Sequence, residues 1–160
     1  MLCLLLILVA SSAGTTAQEK PGLFLRIERV FREKEPVRKV ERIYPSNTSD
    51  PITQSIVFRS GKGQASVDIS IWRREQDAQD VFNGESIAFD NTAGKKKVKG
   101  TVRKLGDENH IWTNRGSSAW PIVKFRKGSI VVSVFAPTVA IAKKFAQYVL
   151  EEIVNGRGDR

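Results

Sequence analysis

The sequence is poor in the residues that most often perform chemistry, with one cysteine and one histidine among 160 residues. Cys3 lies inside an N-terminal segment with the features of a signal peptide, so the mature chain would contain no thiol. This excludes disulfide bonds, thiol catalysis and cysteine metal sites. Such a domain depends on its hydrophobic core, and about 140 mature residues are enough to bury one.

The first segment, MLCLLLILVASSAGTTAQ, has no charged residue, and small residues follow its apolar run over positions 1–10. This pattern predicts a secretory signal peptide over residues 1–17, cleaved before Gln18 or, alternatively, after Ala13. The run is shorter than the roughly 20 apolar residues that span a bilayer. No lysine or arginine precedes it, which is irregular for a signal peptide. An uncleaved N-terminal anchor is the alternative.

The rest of the chain carries the whole net charge of +9. A positive charge attracts polyanions such as anionic lipid headgroups or acidic polysaccharides, and it also keeps a protein in solution without any ligand. Export makes nucleic acid an unsuitable partner, and export without cysteine suits a bacterial protein better than an animal one. We therefore expect a secreted or periplasmic protein with one domain over residues 18–160.

The N-terminal half predicts strands first and then a helix. Alternation at positions 23, 25 and 27 is typical of a half-buried strand, and Pro36 argues against one continuous helix. Residues 44–51, YPSNTSDP, predict a loop. Alternating Val67, Ile69 and Ile71, after a turn at 61–63, predict a hairpin. From Glu75 the apolar spacing becomes helical, although Asn83-Gly84 could end that helix early.

The C-terminal half predicts a meander and a closing helix. Residues 97–104, 110–114, 120–126 and 129–135 have strand patterns separated by short turns, which favours antiparallel pairing. Apolar residues every four positions predict a helix at about 138–154, with Thr138 as N-cap and Asn155-Gly156 as C-cap. Residues 155–160 are expected to be a flexible tail. The fold class predicted is α+β, an antiparallel sheet with amphipathic helices packed on it.

His110 is the only residue that could serve as the base of a hydrolase, with Asp107 or Glu108 as the orienting acid. No G-x-S-x-G motif supplies a nucleophile. A zinc site needs three or four ligands, and His110 has only these two acids nearby. We therefore prefer to explain His110 by the turn at 106–109 beside a solvated strand, and we expect no metal and no cofactor. The hydrolase remains the alternative function.

The densest positive run is GKKKVKGTVRK, at positions 94–104. Its basic residues are the candidate site for an anionic ligand: Lys95, Lys96, Lys97, Lys99, Arg103 and Lys104. In an extended strand Val98 and Val102 would point inward, with Lys97, Lys99 and Arg103 on the opposite face. A lysine-rich edge strand also prevents edge-to-edge aggregation, so binding and protection both explain the run. No aromatic residue interleaves with the lysines, as stacking on nucleobases would require.

Three other features have both a functional and an ordinary explanation. Trp72, Trp112 and Trp120 could line a groove, but burial beneath a helix is more common. Asn47-Thr48-Ser49 is a glycosylation sequon in the predicted loop. Arg157-Gly158-Asp159 spells an integrin-recognition tripeptide in the predicted tail, and such a short motif arises easily by chance.

Two turn motifs occur in a familiar order. Leu105-Gly106-Asp107-Glu108 precedes a tryptophan by four residues, and Phe125-Arg126-Lys127-Gly128-Ser129 precedes an apolar strand and an amphipathic helix. This order resembles secreted bacterial domains of unknown function with a PsbP/Mog1-type α+β sandwich, over residues 56–154. The resemblance implies the fold and export, and it implies no active site.

These observations favour a non-enzymatic exported domain with a binding or accessory role at the bacterial envelope. Its partner would be an anionic envelope polymer, a lipid surface or another protein. The basic run would provide the contact with an anionic ligand. Hydrolysis by His110 with Asp107 or Glu108, and adhesion through the C-terminal tripeptide, are the alternatives.

Overall fold

A computed structural model of the chain describes residues 20–36, 38–43, 51–60, 63–92, 94–98, 102, 104–114 and 120–156. The helices in these ranges are α1 (Lys20–Lys34), α2 (Glu75–Asp90) and α3 (Val139–Asn155). The strands are β1 (Lys39–Ile43), β2 (Ile52–Ser60), β3 (Gly63–Ile71), β4 (Lys95–Lys97), β5 (Glu108–Asn114), β6 (Ile122–Lys127) and β7 (Ile130–Phe135). None of the helices in this part of the chain is long and apolar enough to cross a bilayer.

The strands form one antiparallel sheet in the order β1-β2-β3-β7-β6-β5-β4. Two meanders, β1 to β3 and β4 to β7, are joined where β3 pairs with β7. The predicted α+β class, with an antiparallel sheet and a C-terminal helix, is confirmed. The predicted hairpin of β2 and β3 and the meander of β5 to β7 are also found.

One face of the sheet carries α1, α3 and the main core. Phe31 of α1 packs against Phe58 of β2 and Phe145 of α3, with ring centroids 4.2 and 4.9 Å apart. The Thr138 side chain caps α3 by accepting a hydrogen bond from the backbone N of Ile141, as predicted. Burial of this continuous apolar layer is the main source of stability that the fold offers.

The opposite face of the sheet carries α2. Ala78 and Phe82 of this helix pack against Val131 and Trp72, and the helix continues through Asn83-Gly84 to its end at Asp90. Its main contacts with the sheet are to β4, β6 and β7. The corresponding face of β1 and β2 therefore lies outside the cover of α2.

The predicted strand at positions 23–27 was wrong, because these residues belong to α1. Leu23, Phe24, Ile27 and Phe31 are buried at helical spacing, whereas Leu25 is 57% exposed. A strand would have buried Leu25 on the face of its two neighbours. Pro36 follows the helix without interrupting it.

The predicted strand at 97–104 was also wrong in its bounds. The strand found, Lys95–Lys97, ends before Val98, which is exposed, and Lys104 has a φ of +64°, outside the strand region. Several other predictions concern residues outside the described ranges: the signal peptide, nearly all of the 44–51 loop, the sequon and the C-terminal tripeptide.

Candidate functional site

The predicted basic site is only partly brought together. Lys95, Lys96 and Lys97 form β4, which pairs with β5 at the end of the sheet. Lys96 is exposed, and it makes no ion pair with any residue described. Lys104 is exposed at a turn, whereas Lys99 and Arg103 lie outside the described residues.

Two of the three β4 lysines are engaged with their surroundings. Lys97 lies on the same face of the sheet as Trp112, its Nζ 3.3 Å from a carboxylate oxygen of Asp90 and 5.7 Å from the Trp112 ring centroid. Lys95 is half-buried, and this burial lowers the pKa of its ammonium group. The expected inward orientation of Val98 was wrong, since it is exposed, while Val102 packs against the core.

His110 is a packed residue of β5, where a turn-edge histidine was expected. Its ring stacks on Phe82 at 5.3 Å and meets Trp112 edge-on at 5.5 Å. Burial lowers the pKa of the imidazole, and the charge of Lys97 acts in the same direction. Its side chain forms no hydrogen bond within the described part of the chain, although the charges of Asp90 and Glu108 oppose the lowering of its pKa.

Asp107 and Glu108 are occupied by the β6–β7 hairpin. Asp107 accepts hydrogen bonds from the backbone N of Gly128 at 2.8 Å and from Lys127 Nζ at 2.6 Å. Glu108 accepts from two nitrogens of the buried Arg126, at 2.8 and 2.9 Å. These contacts fix the turn predicted at 106–109 to the hairpin beside it. The hydrolase alternative stays a prediction.

Trp112 is buried beneath a helix, as the more ordinary explanation predicted. Its side chain is fully buried, its ring packs on Phe89 at 5.2 Å, and its Nε1 donates to Asp90 at 2.8 Å. Trp72 is half-buried next to Ala78 and Phe82. Both tryptophans therefore help to hold α2 on the sheet.

A row of polar side chains crosses the centre of the sheet on the face of α2. Strand register places these residues side by side on five neighbouring strands: Ser55, Asp68, Ser133, Lys124 and His110. Directly opposed residues of antiparallel strands have Cβ atoms about 4.5–5.5 Å apart and lie on the same face. Sequence reasoning missed this row, because its members come from distant segments and none belongs to a motif.

Lys124 is the buried member of this row. Its side chain is fully buried between β6 and α2, and its ammonium group pairs with the carboxylate of Glu85. The Nζ also lies 5.4 and 6.0 Å from the ring centroids of Phe82 and Phe89. Burial lowers the pKa of Lys124, and the hydrogen bond and charge of Glu85 oppose that shift.

Asp68 is the half-buried acid of the row. It accepts a hydrogen bond from Ser55 Oγ at 2.6 Å, and it forms no ion pair with any described residue. Burial raises the pKa of its carboxyl group; the Ser55 hydrogen bond opposes this shift, and the charge of Glu85 adds to it. Next to it, the hydroxyls of Thr53 and Ser70 lie 3.3 Å apart.

The side chains described form no group of three or more His, Cys, Asp or Glu that could hold a metal ion. No protein-family model and no curated protein matches the sequence. Among solved structures, a GTP-binding regulator from Thermotoga maritima is similar at 10% identity, with a TM-score of 0.47, over 81% of this chain and 82% of that one. Export, a single domain and the PsbP/Mog1-type resemblance stay predictions.

Proposed function

We propose that the protein is a non-enzymatic exported domain that binds an anionic ligand at the bacterial envelope through its basic sheet edge. The observation that carries the proposal is the position of β4, an edge strand composed only of lysines. The binding residues would be Lys95, Lys96, Lys97, Lys99, Arg103 and Lys104. Phosphate and carboxylate groups of an anionic lipid or polymer are the matching chemistry.

The two sides of β4 contribute differently to this proposal. Lys96 projects to the face opposite that of Lys95 and Lys97, is exposed, and has no ion-pair partner among the described residues. Lys97 is partly neutralised by Asp90, whose carboxylate lies 3.3 Å away. We therefore expect Lys96 and Lys104 to contribute most to the attraction, with Lys97 joining when an anion displaces Asp90.

Protection of the sheet edge would explain the same lysines without any ligand. The two explanations differ in what neutral substitutions do. Loss of protection makes the protein aggregate through β4, whereas loss of binding weakens its contact with anionic surfaces and leaves its oligomeric state unchanged.

The test is binding of the full-length chain to vesicles of phosphatidylcholine containing phosphatidylglycerol, at low and at high salt. A variant with Lys95, Lys96 and Lys97 changed to Gln is expected to bind roughly 10-fold more weakly at low salt. This follows from about 1 kcal/mol for an exposed lysine close to an anionic surface, here Lys96, with smaller contributions from the half-buried Lys95 and from Lys97, which is paired with Asp90.

A matched control removes three positive charges from other elements. Arg29, Lys39 and Lys143 are exposed on α1, β1 and α3, and changing all three to Gln gives the same net charge. The proposal predicts that this control keeps most of its binding. Equal losses in the two variants would instead mean attraction by net charge alone, and aggregation of the β4 variant with unchanged binding would favour protection.

A further inference from the structure

The face of the sheet next to α2 exposes a surface of small polar side chains. We define this surface, the open sheet face, by five half-buried residues: Thr53, Ser55, Asp68, Ser70 and Ser133. They share one face because they alternate along β2, β3 and β7 and are paired across those strands. The main contacts of α2 are with β4, β6 and β7, and Val57, which faces the same side on β2, is buried. The accessible part of this face is therefore limited to the five half-buried residues.

The charge of Asp68 has no counter-charge in this surface. Its hydrogen-bond donor is the neutral hydroxyl of Ser55, and the nearby carboxylate of Glu85 is already paired with Lys124. The chain has 26 Lys and Arg residues, yet none of those described forms an ion pair with Asp68. A half-buried carboxylate in this situation is destabilised, and a cation placed against it removes that penalty.

We propose that the open sheet face binds an amino sugar, with Asp68 accepting hydrogen bonds from its ammonium group. The hydroxyls of Ser70, Thr53 and Ser133 would bond the hydroxyls of the sugar ring. This site lies apart from β4 and selects the opposite ligand charge, so it goes beyond the function proposed above.

The side chains of the open sheet face favour a hydroxylated amine over other cations. Ser and Thr hydroxyls both donate and accept, as sugar hydroxyls do, so each pair can bond in either direction. A divalent metal would want several carboxylates, and here Glu85 is held by Lys124. A simple polyamine offers no hydroxyl groups and would leave Thr53, Ser70 and Ser133 without ligand partners.

The side chains of this surface are small, so a sugar ring bound on it would lie close to the sheet. The floor consists of Ser and Thr residues around one Asp, between α2 and the ion pair of Arg59 with Glu41. That ion pair joins side chains that are 55% and 43% exposed, and together with the buried Val57 it borders the floor at the β1 side. A chain of sugar units would lie between these two borders.

The experiment is calorimetric titration of the full-length chain with a short glucosamine oligomer at near-neutral pH, because burial raises the pKa of Asp68 and acid would neutralise its carboxylate. The wild-type chain is expected to bind it, and Asp68→Asn to bind at least tenfold more weakly, the usual effect of losing a charged hydrogen-bond partner. Asp80→Asn, which removes an exposed carboxylate from α2, is the matched control and should bind as the wild type does.

Two further ligands test the two halves of the proposal. The N-acetylated oligomer lacks the ammonium group, and spermidine lacks the hydroxyls, so both should bind at least tenfold more weakly. The proposal would be overturned if the wild-type chain did not bind the glucosamine oligomer, or if it bound the N-acetylated oligomer or spermidine equally well. It would also be overturned if Asp80→Asn weakened binding as much as Asp68→Asn does. An unfolding curve for Asp68→Asn separates lost binding from lost structure.

The β4 test and this one can fail independently. The variant with Lys95, Lys96 and Lys97 changed to Gln should bind the glucosamine oligomer at least as tightly as the wild type, because those lysines are not part of the open sheet face and their loss lowers the positive charge that repels the ligand. Loss of oligomer binding in that variant would contradict the assignment to Asp68.

Discussion

The ammonium group of Lys124, in the middle of the sheet, pairs with the carboxylate of Glu85 on α2. The lysine side chain is fully buried, whereas the glutamate side chain is 52% exposed. The buried ammonium group of Lys124 therefore depends on Glu85 for charge compensation, whereas the carboxylate of Glu85 can still be solvated by water. This asymmetry makes the pair a sensitive point of contact between α2 and the sheet.

We predict that Glu85→Gln lowers the free energy of unfolding by roughly 1–3 kcal/mol, because Lys124 then keeps a buried charge without a counter-ion. The expected loss is smaller than the 3–5 kcal/mol typical of a fully buried pair, since water reaches Glu85. Urea unfolding at neutral pH measures it. Lys124→Met combined with Glu85→Gln should recover most of the loss, and failure to recover would mean that Glu85 acts through another contact.

The loss of stability in Glu85→Gln should depend on pH in a definite direction. Burial holds the pKa of Lys124 in the folded chain below its ordinary value. Between the folded and the ordinary pKa the unfolded chain binds more protons, so stability rises with pH in that window. Glu85→Gln removes the group that opposes the shift, so its stability deficit should shrink as the pH rises from neutral into the alkaline range. A deficit that stays constant over this range would contradict a charged Lys124.

A second prediction concerns the turn that holds Asp107 against β6. Gly106 has a φ of +70°, and a Cβ added there would lie 2.4 Å from the carbonyl oxygen of Arg126. Gly106→Ala should therefore cost about 2–4 kcal/mol, from both backbone strain and the clash. Gly94 has a φ of +80° with open space around it, so Gly94→Ala should cost only about 1 kcal/mol. Equal unfolding midpoints would show that the close approach to Arg126 is not a constraint.

A third prediction follows from Asp107 itself. Burial alone would raise its pKa, but hydrogen bonds from Lys127 and the Gly128 backbone prevail and lower the pKa of this carboxyl. Its contribution to stability is present above the ordinary pKa and is lost as the pH falls through the lowered value. Asp107→Asn should cost about 0.5–1 kcal/mol at neutral pH, since the group is partly exposed, and nothing in strong acid. Unfolding curves across the acidic range check this.

The fourth prediction concerns Asp68, whose contribution to stability depends on pH in the direction opposite to that of Asp107. Burial raises the pKa of this carboxyl above its ordinary value, so the folded chain loses stability as the pH rises through that window. Asn cannot ionise and can still accept the hydrogen bond from Ser55. Asp68→Asn should therefore stabilise the fold at neutral pH, by about 0.5–1 kcal/mol.

The gain from Asp68→Asn should vanish below the ordinary carboxyl pKa of about 3.9, where the wild-type group is neutral as well. Thermal unfolding at neutral and at acidic pH measures both quantities. A more stable variant that no longer binds the glucosamine oligomer would show that Asp68 is retained for binding at the expense of stability. Destabilisation at neutral pH would mean that the carboxylate has a compensating partner.

Local patterns predicted much of the fold. The hairpin of β2 and β3, the meander of β5 to β7 and the capped helix α3 have regular apolar spacing and turn residues at their ends. The helix α1 was missed because Leu23, Leu25 and Ile27 alternate over one short stretch. Adding Phe24 and Phe31 gives the helical spacing that the core uses, so a longer window would have found it.

The site was far less predictable. Among the described residues of the basic run, Lys95–Lys97 form the strand, where β4 pairs with β5 and Lys97 contacts Asp90. Asp68 and Lys124 looked like ordinary polar positions of half-exposed strands. Their surroundings depend on which strands become neighbours and on where α2 packs, and neither is encoded within a few residues of sequence.

The pairing of β3 with β7 also sets the order in which the chain can fold. Each meander forms from strands that are close in sequence, but Ile71 meets Ile130 across roughly 60 residues of chain, so this closure has the larger entropic cost. Such long-range pairing slows folding. Until it forms, β3 and the more apolar β7 each present an unpaired edge, and exchange of halves between two chains competes with correct closure.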